Sequence, residues 1–126
     1  MTESRPSRVV WFEIPSSNLD RAVSFYANIL DTPMKREMFG PDAIAVFPYQ
    51  KPGFSGCLVE STEAQPTRDG VLVYLNCDGQ LDDVLARVSV AGGKIEQPKT
   101  ALPPGMGFGA KIVDSEGNRV GLHAIY

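Results

Sequence analysis

The sequence predicts an α+β fold of two βαβββ repeats, whose eight strands make a curved mixed sheet, two half-barrels around a cavity, with one helix packed outside each repeat. Three observations lead there. A strand-like run, Val9-Val10-Trp11-Phe12-Glu13-Ile14-Pro15, precedes an amphipathic helix pattern. The same order returns at Val71–Cys77 and Leu81–Val88. The chain then closes on two apolar strands joined by the turn Asp114-Ser115-Glu116-Gly117-Asn118. Repetition of a unit that cannot bury its own apolar face is the usual mark of packed structural repeats.

Residues 8–15 are rich in branched and aromatic side chains and end at Pro15 and Ser16-Ser17, which predicts a strand. A helix follows. Ser17 or Asn18 can cap it and Asp20 suits its first turn, while Leu19, Ala22, Val23, Tyr26, Ile29 and Leu30 fall on one face at helical spacing. Three short strands are predicted near Met34–Met38, Ala43–Phe47 and Ser55–Glu60, separated by Gly40-Pro41-Asp42 and Lys51-Pro52-Gly53. In the second repeat Leu81, Val84, Leu85 and Val88 form the helical stripe, and Gly92-Gly93 stops it. Strands near Lys94–Glu96, Phe108–Val113 and Arg119–Ala124 complete it, with the irregular Pro98–Pro104 segment as a place for a further strand. The first repeat covers about 8–61 and the second about 70–125, within one domain of residues 1–126.

Composition narrows the partners. The 126 residues carry 12 basic and 15 acidic side chains, interspersed, for a net charge of −3. No Lys/Arg cluster follows a phosphate backbone, so nucleic acid and anionic membrane are excluded as expected partners. The opening Met1-Thr2-Glu3-Ser4-Arg5-Pro6 lacks an apolar core and no apolar run has the length of a membrane span, which implies a cytoplasmic protein. Cys57 and Cys77 lie far apart in apolar strand patterns, so buried reduced thiols are expected, with Cys57 on the helix side.

If each helix covers one sheet face, the opposite faces are left to line a shared cavity. Strand alternation names what enters it. With Phe12 and Ile14 packed on the helix, Trp11 and Glu13 face the cavity; with Val73 and Leu75 packed, Leu72, Tyr74 and Asn76 face it; in the last strand Gly121 and His123 do so. Trp11 and Tyr74 offer flat aromatic surface for an organic ligand, against the plainer reading of core packing. Met106 and Phe108, in the Gly-rich run 103–109, form a candidate rim. That run feeds a strand rather than a helix, so it is not a phosphate loop. An inward Glu13 is costly unless paired or used, which favours a polar role for it. Gly53-Phe54-Ser55-Gly56-Cys57 lacks the second Gly of a nucleophile elbow.

The helix motif Asn18-Leu19-Asp20-Arg21-Ala22-Val23-Ser24-Phe25-Tyr26 and the ending Asp114-Ser115-Glu116-Gly117-Asn118-Arg119-Val120-Gly121-Leu122 resemble the vicinal oxygen chelate superfamily, which includes glyoxalase I, ring-cleaving dioxygenases and bleomycin-resistance proteins. The resemblance runs over residues 8–125 and implies a homodimer. In metal-dependent members of that family, ligands sit on the first and last strands of each repeat. The matching positions here hold Trp11, Leu72, Gly121 and either Leu58 or Glu60. At best one donor survives, and a catalytic divalent metal needs about three. The resemblance therefore implies the fold without its usual metal, and no cofactor is expected.

The resulting expectation is a protein that binds a small organic molecule at Trp11, Glu13, Leu72, Tyr74, Met106, Phe108, Gly121 and His123. The alternative is a lyase, isomerase or dioxygenase of the same superfamily. It would use either a displaced divalent metal on Glu13, Glu60 and His123 or a metal-free Glu13/His123 acid–base pair. A purely structural module, the third option, requires a filled cavity.

Overall fold

The computed structural model of the chain describes residues 8–51 and 53–126; Met1–Pro6 and Pro52 of the second predicted turn lie outside them. The elements run β1 (Glu13–Pro15), α1 (Leu19–Leu30), β2 (Lys35–Phe39), β3 (Asp42–Val46), β4 (Cys57–Glu60), β5 (Tyr74–Asn76), α2 (Leu81–Val88), β6 (Lys94–Ala101), β7 (Phe108–Val113) and β8 (Arg119–Ala124). This is βαβββ twice. The eight strands lie in two four-stranded sheets ordered β1-β4-β3-β2 and β5-β8-β7-β6. In both, the first strand pairs parallel with the last and the other neighbours are antiparallel. The sheets do not close on each other, which gives the curved half-barrel arrangement.

Helix α1 starts where the sequence offers acceptors for its free amides. Asn18 caps it through Arg21 N, and Glu60 Oε1 accepts from Leu19 N at 2.7 Å. It ends at Asp31, which adopts φ 50° and returns its N–H to Ala27 and Asn28 carbonyls. Its apolar face buries Leu19, Ala22, Phe25, Tyr26 and Ile29. Phe25 falls outside the predicted stripe yet is 1% exposed, because Gly93 and the second repeat lie on that side. A β-carbon at Gly93 would stand 2.6 Å from the Phe25 ring.

The strands differ from expectation at three points. Only Glu13–Pro15 of the predicted 8–15 run joins a ladder, leaving Val9, Val10 and Trp11 exposed. Likewise only Tyr74–Asn76 of the predicted Val71–Cys77 run is strand, with Val71 exposed. The irregular Pro98–Pro104 segment holds no separate strand. Its first residues continue β6 to Ala101, with register shifts on either side of Gln97 and up to Thr100, as Pro98 cannot donate to the ladder.

One core joins the repeats. Ile14, Ala45, Phe47 and Leu58 of the first sheet and Leu75, Ile112, Val120 and Leu122 of the second pack with both helices in a single cluster. Polar contacts across it are specific: Tyr26 donates to Asp114 Oδ2 at 2.7 Å, Asn118 Nδ2 donates to the Pro15 carbonyl at 2.7 Å, and Arg87 to the Ile29 carbonyl at 2.9 Å. Among the described residues no helix is long and apolar enough to cross a membrane.

Candidate functional site

Ladder register fixes which side chains share a face. Glu13 stands opposite Cys57 and Pro15 opposite Val59 in the first sheet; Tyr74 stands opposite Gly121 and Asn76 opposite His123 in the second. The predicted alternation holds: Ile14, Leu75, Val120 and Leu122 are buried toward the helices, while Trp11, Glu13, Tyr74 and Asn76 are exposed on the opposite faces.

Tyr74 owes its position to Gly121. Its ring occupies the space that a β-carbon at 121 would need, so a glycine is required beneath it. His123, on the same face, bonds through Nε2 to the Met106 carbonyl at 2.7 Å. A carbonyl only accepts, so Nε2 carries a proton and donates it there. The contact is to the Met106 backbone, and the Met106 side chain is exposed. Leu72, two residues before Tyr74, is half-buried. Farther along this sheet Glu96 lies between Arg68 and Arg119, and Arg68 holds its carboxyl below the usual range, with Arg119 adding to this against desolvation.

Three assignments change. Glu60 lies opposite Ala43 and on the helix side, its carboxylate spent on the start of α1, so it does not reach the open face. Phe108 shares the helix-side parity of Ala110 and Ile112, and its ring lies under Lys99 Nζ at 4.6 Å, away from Tyr74 and His123. Cys57 belongs to the open face, in a small cluster with Ile44, Val46 and Val59. One inserted step in the predicted β4 phase accounts for Glu60 and Cys57 together. Desolvation, reinforced by the Glu13 carboxylate and opposed by the Trp11 indole, pushes the Cys57 thiol up to about 11.

These placements bear on the divalent ion that the family resemblance brings. Glu13, Glu60 and His123 do not converge, and among the described residues no group of three or more His, Cys, Asp or Glu side chains could hold a metal. Trp11, Leu72 and Gly121 carry no donor, Leu58 is buried under α1, and the space at Gly121 belongs to Tyr74. The residues of one chain do not fit the ion.

The repeats also meet at two related junctions, and these differ. Where the β7–β8 turn meets the start of α1, Glu116 fills the space: Oε1 accepts from Ser17 N and Asn18 N at 3.0 and 2.9 Å, and Arg21 Nε approaches Oε2 to 2.6 Å. Desolvation raises the Glu116 carboxyl, but Arg21, the Asn18 amide and Ser115 outweigh it and hold it below the usual range. Where the β3–β4 connection meets the start of α2, no acid occupies the matching place. Gln80 precedes α2 without a side-chain cap. A cleft of about 320 Å³ opens there, walled by Phe12, Phe47, Phe54 and Tyr74, with Thr32, Ser55, Asn76 and Gln80 among its polar groups. Of the residues that the sequence reading turns to the open face, Tyr74 and Asn76 border this cleft; Phe12, Phe47, Phe54 and Gln80, which also line it, are not among its candidates. The signal was available: the 48–55 connection has no carboxylate to match Glu116.

Comparison with known proteins bears on this geometry. The family model described as Glyoxalase/Bleomycin resistance protein/Dioxygenase superfamily matches residues 8–122. No curated protein matches the chain. Among solved structures, a glyoxalase/bleomycin resistance protein from Albidiferax ferrireducens T118 is similar at TM-score 0.72 and 16% identity, covering 94% of this chain and 98% of that one. The fosfomycin resistance protein FosX from Listeria monocytogenes gives 0.66 and 16%, covering 95% and 94%. The E144Q variant of glyoxalase I from Zea mays gives 0.69 and 20% over 91% of this chain, which spans 46% of that longer protein. At these identities the likeness is one of fold.

Proposed function

This chain belongs to the Glyoxalase/Bleomycin resistance protein/Dioxygenase superfamily, and from that premise we propose that it binds a small organic molecule beside Tyr74, in the cleft between its two repeats, without a divalent metal centre. The observation that carries this is the cleft itself: four aromatic side chains around about 320 Å³, at the low end of the roughly 300–1,000 Å³ typical of ligand sites. Tyr74 lines this cleft and is also exposed on the open face of the second sheet, against Gly121 and on the side that bears His123, so a larger ligand would extend from the cleft onto that face. That a fosfomycin resistance protein shares the fold supports small-molecule handling on this scaffold.

The enzyme reading has less support. Glu13 lies on the first sheet and His123 on the second, where it bonds to the Met106 carbonyl, and among the described residues no hydrogen bond joins them, so a metal-free acid–base pair within one chain lacks support. A homodimer fits the exposed outer strand β2, where Met38 and Phe39 are 66% and 68% exposed.

A thermal-shift screen of small aromatic and heterocyclic compounds, run in a chelator, tests the proposal. Hits that stabilise the wild-type protein in chelator and lose their effect in Tyr74→Ala are expected. Stabilisation that requires an added divalent metal would overturn it.

A further inference from the structure

Resting on the reading above, we infer that the cleft selects an uncharged, planar ring compound carrying a group that both donates and accepts hydrogen bonds, such as a primary amide. Among the described residues no Asp, Glu, Lys, Arg or His lines the cleft; its polar side chains include Thr32, Ser55, Asn76 and Gln80. Their free capacity is mixed. Asn76 Oδ1 already accepts from Asp78 N, so its Nδ2 remains as donor. Ser55 Oγ already donates to the Phe47 carbonyl, so its lone pairs remain as acceptors. Gln80 makes no capping bond and offers both.

The chain contains its own control for what a charged occupant requires. At the related junction, the Glu116 carboxylate is held by the Arg21 guanidinium as well as by two backbone amides. The cleft has no such cation. The positive end of α2 does not substitute for one, because Asp82 and Asp83 sit in its first turn and offset it. Nor is there a carboxylate in the wall to receive an ammonium or amidinium. Cys77, which closes the floor, stays a neutral thiol at physiological pH: desolvation, with Asp78 adding and the His123 backbone opposing, pushes it up to about 11. An ion of either sign would lose hydration without gaining a partner, a cost that a neutral ring avoids.

Benzamide, benzoate and benzamidinium have nearly one shape and three charges. Titrating each into the isotope-labelled chain and following the resonances of Phe54 and Tyr74 separates them. The inference predicts that benzamide binds at least about tenfold more tightly than either ion, a margin of roughly 1.4 kcal/mol. Equal or tighter binding of benzoate or benzamidinium at the same resonances overturns the charge selection while leaving the cleft as a ligand site. If none of the three moves those resonances, both the selection and the cleft reading fall. Gln80→Glu supplies the missing anion at a position with no capping bond to lose. It should raise benzamidinium affinity and lower that of benzoate; no change in either would remove Gln80 from the site.

Discussion

The ring of Tyr74 lies against the backbone of Gly121, its register partner across β5 and β8, in space that a β-carbon at 121 would fill. The atoms in conflict belong to the root of the ring, not a flexible tip, so a side chain at 121 must move the whole ring. Gly121→Ala is therefore expected to cost about 1–3 kcal/mol by overpacking. It should also weaken an aromatic ligand about threefold to tenfold through loss of the stacking surface. Chemical denaturation and a ligand titration on the same variant read both effects, and wild-type behaviour in both would remove Tyr74 from the account.

Glu116 is expected to be the most sensitive surface acid. Its side chain is fully buried beneath Arg21 and serves two amides at the start of α1. Glu116→Ala should destabilise the chain by about 2–4 kcal/mol. Its folded-state value is depressed, so its contribution is complete above the ordinary glutamate range and is lost as pH falls through the folded value. Glu116→Gln should flatten that acid limb of the stability profile.

Tyr26→Phe tests the contact that ties the first helix to the closing turn. The buried Tyr26 hydroxyl donates to Asp114, whose carboxylate also accepts from Asn118 and from the Glu116 amide. Removing one donor from that buried carboxylate should cost about 1–3 kcal/mol by denaturant titration. Tyr26 itself is held protonated, since desolvation and then the Asp114 charge raise its pKa well above the usual value.

Much of this fold could be read in the sequence because its signals are local. Asn18 and the α1 stripe, the Gly92-Gly93 stop and the Asp114–Asn118 turn each act within a few residues. Alternation then placed Ile14, Leu75 and Leu122 inward. What failed depended on partners far along the chain. Glu60 looked available for a cavity, but its carboxylate is claimed by the start of α1, and a one-residue change of phase in β4 exchanged its face with that of Cys57. Its glycine-rich setting makes Phe108 a rim candidate, whereas the β7 register gives it the helix-side parity of Ala110 and Ile112. The cleft arises from the difference between two junctions, and no single stretch of sequence contains that difference.

The two thiols make an alkaline prediction. Cys57 and Cys77 are both raised to about 11, so the unfolded chain releases their protons first. Their contribution is intact below the unfolded thiol value and declines as pH rises through the folded one, by about 2–3 kcal/mol per thiol. Denaturant titrations between pH 8 and 11 should show the decline, and Cys77→Ala should reduce it. At pH 8 the Cys57 of the native protein, buried among Ile44, Val46 and Val59, should react with a thiol reagent only at the rate of unfolding.

The most direct test of the metal-free cleft is a chemical-shift map of the labelled chain, in chelator, with an aromatic ligand from the screen. The account predicts that the largest shifts fall on Phe12, Phe54, Tyr74, Asn76 and Gln80 and persist without metal. Shifts confined to Glu13, His123 and the outer strands, or dependent on an added divalent ion, would contradict it and return the site to the open face.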